Sequence, residues 1–340
     1  MRESLTICIP TYNRRAELSV ALESIKNIFG HSVSVVVSDN ASTDGTSELC
    51  AMYKESAAFK ELYYYRWDSN QGADRNYLKS VELSRTEYCM LMGSDDAVLP
   101  DTPAVLADVL LGKPDVAIFG RNMYSRDLTI LVNAESFWRG YTQRRFSLAQ
   151  DADYNEYFKT CRSLAAVFSY LSVIVFRKSI WIENAQVQNF IGTAYVHVAA
   201  LLEGMRNMKP CILQIDARPI VKCRGGNDSF LSAGHYQRFL LDWNGYEKLA
   251  DIYFPASRRI LTQILAKVYR AKCMIVLRYD LERQSNTIAI RQVAERLRSS
   301  DWGRQALWWW RLSGFIPVSA LKYIYLARKN ILRRRTRVTI

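Results

Sequence analysis

The strongest constraint on the fold is a pattern repeated through the first 120 residues: a short apolar run, a polar loop, then helical periodicity. Leu5–Ile9 reads as a strand closed by Pro10, which has no amide hydrogen to offer a ladder. After the loop Thr11–Arg14, apolar residues recur at Leu18, Leu22, Ile25 and Phe29, the spacing of one helix face, and Gly30 suits a helix stop. Val33–Val37 repeats the strand and ends in the polar cluster Ser38–Thr46, where Thr43 or Asp44 suits a helix cap. Tyr63–Trp67 is a third strand, followed by the turn 68–76 and a helix carrying Tyr77, Leu78 and Val81. Tyr88–Met92 is a fourth, running into Gly93-Ser94-Asp95-Asp96, and Val116–Phe119 is a fifth. Strands alternating with helices predict an α/β fold, a mostly parallel sheet with helices on both faces. In such sheets ligands bind beyond the carboxyl ends of the strands. The polar loops at 10–14, 39–45 and 94–96 all fall there and can meet in one crevice.

Two adjacent carboxylates, Asp95 and Asp96, repel each other unless a cation or a proton intervenes. A hard divalent cation suits oxygen ligands and commonly binds one or two carboxylates together with substrate phosphates. The plainer alternative is a helix cap with a spare acidic neighbour. Further on, Phe137–Gln150 is aromatic and basic, and Leu164–Phe176 is apolar with no assignable period. Phe190–His197 leads into an apolar helix, Ile212–Val221 reads as a strand, and Arg224–Phe230 as a loop with a glycine pair.

A chain of 340 residues with 49% apolar content can build one large or two moderate cores. Its seven cysteines form no CxxC pair, which predicts small buried hydrophobes in a reducing compartment and no zinc site. The start of the chain lacks the apolar core of a signal peptide. The longest charge-free windows, Ser163–Phe176 and Asn184–Leu202, are respectively too short and too polar to span a bilayer. These features predict a cytoplasmic protein with no transmembrane helix. Of the net charge of +13, the stretch 251–340 holds 19 basic against 5 acidic residues, whereas the first 250 residues are near balance. Trp302, Trp308–Trp310 and Phe315 share that stretch with Arg333–Arg335 and Arg337. Tryptophan favours membrane interfaces and basic clusters are drawn to anionic head groups, so 302–337 reads as a membrane-surface dock. The alternative is a packing helix with a solvated face. Nucleic acid is not an expected partner, since the charge is confined to the tail and no reading motif accompanies it.

Four segments, Ile7–Arg14, Ser38–Thr46, Asn70–Gly72 and Gly93–Asp96, occur in this order and at these spacings. As a set over about residues 4–120 they resemble the family 2 glycosyltransferases, whose nucleotide-sugar-binding fold is called GT-A. Phe168–Ser172, Ile191–Val198 and Cys223–Phe230 look like a narrower branch that includes abequosyltransferase-type O-antigen enzymes using CDP-linked dideoxyhexoses. The resemblance implies a nucleotide-sugar half at 1–120, an acceptor-side half at 121–250, and a helical basic extension at 251–340. It implies inverting transfer from a nucleotide diphosphate sugar, a CDP-sugar favoured, to a hydroxyl of a lipid-linked oligosaccharide at the cytoplasmic face of the inner membrane. A nucleotidyltransferase is the rival enzyme class, but Pro10–Arg14 is not a glycine-rich triphosphate loop.

By the same resemblance, Pro10, Thr11 and Tyr12 line the donor nucleoside, and Arg14 meets phosphate, unless it is only a solvated helix start. Asp39 accepts from the pyrimidine edge or caps its own loop. Asn70 and Asp74 are donor-side candidates that turn formation explains as well. Asp95, with Ser94 beside it, stands where the family's Asp-x-Asp element ends and would hold Mg²⁺ or Mn²⁺. Gly93 departs from that element, whose first position is often Asp. The family's acceptor-side Glu-Asp pair is also missing between Asn184 and Leu202, which leaves His197 as candidate base, metal ligand or core histidine. Asp96 is the second candidate base. Arg224, Asn227 and Asp228 would sit on a loop closing over the donor or the acceptor.

Overall fold

The structure, a computed structural model, describes residues 5–226, 234–269, 271–300, 303–317 and 319–321. The chain divides into two compact units. One comprises the described residues of Met1–Asp153 with Ala165–Gly225; the other comprises those of Tyr154–Leu164 and Gly226–Ile340.

The first unit opens as β1 (Leu5–Thr11), α1 (Arg15–Phe29), β2 (Ser34–Asp39), α2 (Thr46–Glu55), β3 (Glu61–Arg66), α3 (Ala73–Glu82) and β4 (Tyr88–Leu91). It continues through β5 (Ala97–Val98), α4 (Thr102–Leu111), β6 (Val116–Tyr124), β7 (Leu131–Glu135) and β8 (Gln143–Leu148). Helix α5 (Asp151–Thr160) carries the chain out of this unit, and β9 (Ile174–Arg177), α6 (Ala185–Gln188), α7 (Val196–Asn207) and β10 (Cys211–Arg224) complete it.

The sheet order is β3-β2-β1-β4-β9-β6-β10-β5, with β7 on β6 and β8 on β10. Strands β3, β2, β1 and β4 pair parallel, as does β6 with β10. Strand β9 is antiparallel to both β4 and β6, which leaves those two pointing the same way. Strands β1 and β2 are buried at every position, as expected of a sheet covered on both faces. Their ladder runs two residues beyond Ile9, through Pro10↔Ser38 and Thr11↔Asp39. The proline does not end the strand because only β2 pairs with it there; pairing with β4 stops at Cys8↔Leu91. The apolar run 164–176 is two short 3-10 turns leading into β9. Hydrogen bonds at 3-10 and strand spacing follow each other within a few residues, so the run presents no single period.

The second unit adds α8 (His235–Tyr253), α9 (Arg259–Val268), α10 (Ala271–Arg283), α11 (Thr287–Ser299) and α12 (Arg304–Gly314) to the latter part of α5. Its core sets Tyr154 and Phe158 edge-to-face against Phe254, with ring centroids 5.4 and 5.8 Å apart. The Lys267 ammonium donates to the carbonyls of Phe158, Lys159 and Cys161, satisfying the exposed end of α5. Helix α12 buries Ala306, Trp310 and Ser313, and Arg278 lies 5.1 Å over the Trp310 ring. No helix among the described residues is long and apolar enough to cross a membrane. The arginines at 333–337 and the loop residues Asn227 and Asp228 lie outside the described residues.

Candidate active site

The carboxyl ends of β1, β2, β4, β6 and β10 lie along one edge of the sheet, because these strands share one direction. Strand β1 delivers Pro10 and Thr11, both buried, with Tyr12 44% exposed beyond them. The loop turns at Asn13, in the left-handed region at φ 48°, a conformation asparagine tolerates well. Asn13 is tied to the second loop in both directions: its amide donates to Ser42 Oγ (2.8 Å), and its side-chain oxygen accepts from the Thr43 amide (2.8 Å). Asp44 accepts from the Arg15 amide (2.7 Å) with one oxygen and from the Thr46 hydroxyl (2.6 Å) with the other, so it joins the starts of α1 and α2.

At the end of β2, Asp39 is fully buried. One oxygen accepts from the Ser42 amide (2.9 Å) and the other from the Tyr64 hydroxyl (2.6 Å), with Arg66 Nε 3.8 Å away. Asn76, from α3, reaches under both strands. Its Nδ2 donates to the carbonyls of Thr11 (3.2 Å) and Ser38 (2.9 Å), and its Oδ1 accepts from Ser38 Oγ (2.7 Å) and Trp67 Nε1 (3.2 Å). Asn70 is exposed, and its Oδ1 accepts from Asn40 Nδ2 at 2.8 Å. Asp74 is buried and turned toward the start of α7, where its Oδ2 accepts from the amides of Gly192 (2.7 Å) and Ala194 (3.0 Å).

The Asp95-Asp96 pair splits in direction. Asp95 reaches Arg14 Nη1 at 3.1 Å, both side chains remaining partly open to solvent. Asp96 is 4% exposed and is held by three donors: Tyr170 Oη and Ser172 Oγ (2.5 Å) on Oδ2, and the Arg224 amide (3.1 Å) on Oδ1. Burial, with Asp95 adding repulsion, pushes the Asp96 carboxyl up to about 6 despite these donors. Arg224 Nε donates to the Asp95 carbonyl at 2.8 Å, and its guanidinium also reaches the Arg126 carbonyl. Ser94 is buried between these elements. Arg121 lies 4.2 Å over the Tyr170 ring and pairs with Glu135 at 2.7 Å.

Gly93 stands close against the carboxylate pair. A Cβ there would sit 2.9 Å from Asp95 Oδ1 and 3.4 Å from Asp96 Oδ2, while its amide donates to Ser172 Oγ at 2.8 Å. The site therefore offers a cation one outward carboxylate, Asp95. No group of three or more His, Cys, Asp or Glu side chains fit to hold a metal occurs among the described residues. That donor set fits Mg²⁺ or Mn²⁺ when the substrate's phosphates supply further oxygen ligands, the usual habit of Mg²⁺.

His197, the expected base, is 2% exposed, and its Nε2 lies 2.9 Å from the Phe168 carbonyl. Burial lowers its pKa to about 4 from the ordinary 6.5. Such surroundings give it a neutral ring pinned to backbone, with no carboxylate among its hydrogen-bond partners. Asn76, Tyr170, Ser172 and Arg121 were not anticipated from the sequence. Tyr170 and Ser172 lie inside Phe168–Ser172, a segment set apart by resemblance but given no role, and their contact with Asp96 spans more than 70 residues.

Comparison with known proteins bears on this arrangement. The family description "Glycosyl transferase family 2" matches residues 6–173. Abequosyltransferase RfbV of Salmonella typhimurium is 35% identical over 268 residues, covering 77% of this chain and 80% of RfbV. A GalNAc(5)-diNAcBac-PP-undecaprenol beta-1,3-glucosyltransferase of Campylobacter jejuni is 27% identical over 96 residues, 28% of this chain and 30% of that enzyme. Among solved structures, S. aureus TarS 1-349 in complex with UDP-GlcNAc superposes with a TM-score of 0.58 at 13% identity, covering 96% of this chain and 92% of that one. At that identity the likeness is one of fold, and the expected GT-A architecture is the observed one.

Proposed function

The chain belongs to glycosyl transferase family 2, close to the abequosyltransferase type, and from that premise we propose that it moves a hexose or deoxyhexose from a nucleotide diphosphate sugar to a hydroxyl of a lipid-linked oligosaccharide. A CDP-linked dideoxyhexose is the first choice of donor, and O-antigen or related surface polysaccharide the product. Support for the donor comes from the kinship with RfbV, an abequosyltransferase by name. Support for the site comes above all from the divided carboxylate pair, one member partly open to solvent beside Arg14 and the other turned inward to three hydrogen-bond donors.

In this reading the donor lies over the ends of β1 and β2. The Thr11 hydroxyl is buried there without a partner among the described residues, and such a group is normally satisfied. Arg14 and Arg224 stand beside Asp95, where guanidinium forks match phosphate oxygens. Asp95, with the donor diphosphate, would hold Mg²⁺ or Mn²⁺. The ion supplies charge stabilisation to the leaving diphosphate. Asp96 takes the proton from the acceptor hydroxyl. Three of its four acceptor positions are occupied, which leaves one for the substrate. As the proton leaves, the acceptor oxygen bonds to the anomeric carbon, and the bond from that carbon to the diphosphate oxygen breaks. The nucleoside diphosphate departs with the electron pair, and the configuration inverts. His197 lies deeper than this chemistry and is assigned no proton transfer.

The deciding experiment is thermal unfolding with UDP-, GDP-, dTDP- and CDP-sugars, each with and without Mn²⁺. Protection by the CDP-sugar, enhanced by Mn²⁺ and lost in Asp95→Asn, is the expected result. Protection by none of the four overturns the proposal. Asp96→Asn should keep donor protection while turnover falls by about 10²-fold or more.

A further inference from the structure

Between α5 and β9 the chain passes through Phe168 with φ 65°. Bulky residues avoid this left-handed region, and one found there is held by its surroundings. Phe168 is fully buried, and its carbonyl oxygen faces His197 Nε2 at 2.9 Å. A carbonyl can only accept, so Nε2 carries the hydrogen. Nδ1 is then the bare acceptor, buried and without a partner among the described residues. The imidazole is set edge-on to Tyr77, ring centroids 5.6 Å apart, which fixes its plane.

The strained residue stands just before the two hydroxyls that hold Asp96. Two residues on, Tyr170 Oη donates to Asp96 Oδ2; four residues on, Ser172 Oγ does the same at 2.5 Å and accepts from the Gly93 amide at 2.8 Å. A short segment whose first peptide is reversed can present hydroxyls to a carboxylate in one geometry only while that reversal is kept. The strain of such a residue and the net strength of one buried hydrogen bond are of the same order, so the donor adds a substantial share to what packing supplies.

We propose that His197 is a positioning residue for Asp96, acting through the Phe168 carbonyl and the turn that carries Tyr170 and Ser172. The inference rests on the reading of Asp96 as the group that takes the acceptor proton. It gives His197 a part in the reaction with no contact to substrate. It also accounts for an imidazole beneath the site with one nitrogen bonded to backbone and the other without a partner among the described residues.

The test combines variants of the full chain. His197→Phe keeps a ring against Tyr77 but has no donor, His197→Asn is polar but too short for the carbonyl, and His197→Gln retains a donor near the Nε2 position. Turnover is read as nucleoside diphosphate released from a CDP-linked dideoxyhexose. The Phe and Asn variants should lose about 10-fold or more in kcat with donor KM within about twofold, and Gln should recover most of the loss. Ser172→Ala should lose kcat as well, and His197→Phe/Ser172→Ala should fall little below the worse single variant, since both changes release the same carboxylate. Losses that multiply overturn the positioning role and leave Asp96 as base. Full turnover in both Ser172→Ala and Asp96→Asn overturns the reading of Asp96 and the inference with it. A crystal structure of His197→Phe tests the linkage without any substrate. Residue 168 should leave the left-handed region and Ser172 should part from Asp96; both unchanged overturns the inference.

Discussion

Gly93 and His197 show how single residues decide what this site can hold. At Gly93 a Cβ would press on the Asp95 carboxylate at 2.9 Å and touch that of Asp96 at 3.4 Å. Rebuilding the family's Asp-x-Asp element by Gly93→Asp should therefore displace the existing pair without adding a ligand. The expected outcome is a loss of about 1–3 kcal/mol in urea unfolding, as for other overpacked sites, with no gain in Mn²⁺ affinity when donor is present. Tighter Mn²⁺ binding at unchanged stability would contradict this. His197 predicts a pH dependence. Burial depresses its pKa to about 4, so the folded protein keeps the ring neutral in a range where the unfolded chain, near 6.5, takes up a proton. Over that window the unfolded state binds more protons, and stability falls as pH drops from about 6.5 toward 4; above 6.5 the contribution is complete. Between pH 7 and pH 5 the wild type should lose on the order of 1–2 kcal/mol more than His197→Gln. Equal losses in both proteins would place the acid sensitivity elsewhere.

Among the elements, Asp74 links α3 to the turn before α7, accepting from two amides of a segment that contains Gly192 at φ 89° and Ala194 at φ 64°. Asp74→Ala takes the acceptor from both amides, which lie in a partly exposed turn, and should cost about 1–2 kcal/mol in urea unfolding. Asp74→Asn, which keeps an acceptor, should recover part of it. No effect of the alanine would mean the turn is held by other contacts. The β1–β4 half of the sheet was legible in advance because each strand is a separate apolar run and each helix repeats its own period. Strand β9 was not, since its four residues follow 3-10 turns and pair antiparallel between strands that enter from distant parts of the chain. The same distance hid Tyr170, Ser172 and Asn76. Asp95 and Arg14 announced themselves through the loops that bear them, but hydroxyls that meet a carboxylate 74 and 76 residues away leave no local pattern.

At the scale of the molecule, the basic stretch 251–340 includes α12, where Trp308, Leu312 and Phe315 are exposed on the side opposite to buried Ala306, Trp310 and Ser313. Exposed Arg304 and Arg311 flank that stripe. This combination supports docking on an anionic bilayer, where a lipid-linked acceptor would be found. In flotation with vesicles containing an anionic phospholipid, the protein should rise with the lipid. Arg333, Arg334, Arg335 and Arg337 changed together to Gln should weaken that, and Trp308→Ser with Phe315→Ser should weaken it further, at about 1 kcal/mol per basic residue removed. Unchanged partitioning would sink the docking role. The division of the chain has its own consequence, for synthesis. Tyr154–Leu164 belongs to the second unit although it is read out between two parts of the first. Phe254, the partner of Tyr154 and Phe158, is made about 100 residues later, which at ribosomal rates is roughly 5–20 s. During that interval Tyr154 and Phe158 lack the Phe254 ring. A message cut short near codon 226 would leave Tyr154 and Phe158 without the Phe254 ring they pack on, so the first unit made alone should carry a segment that lacks this part of its core.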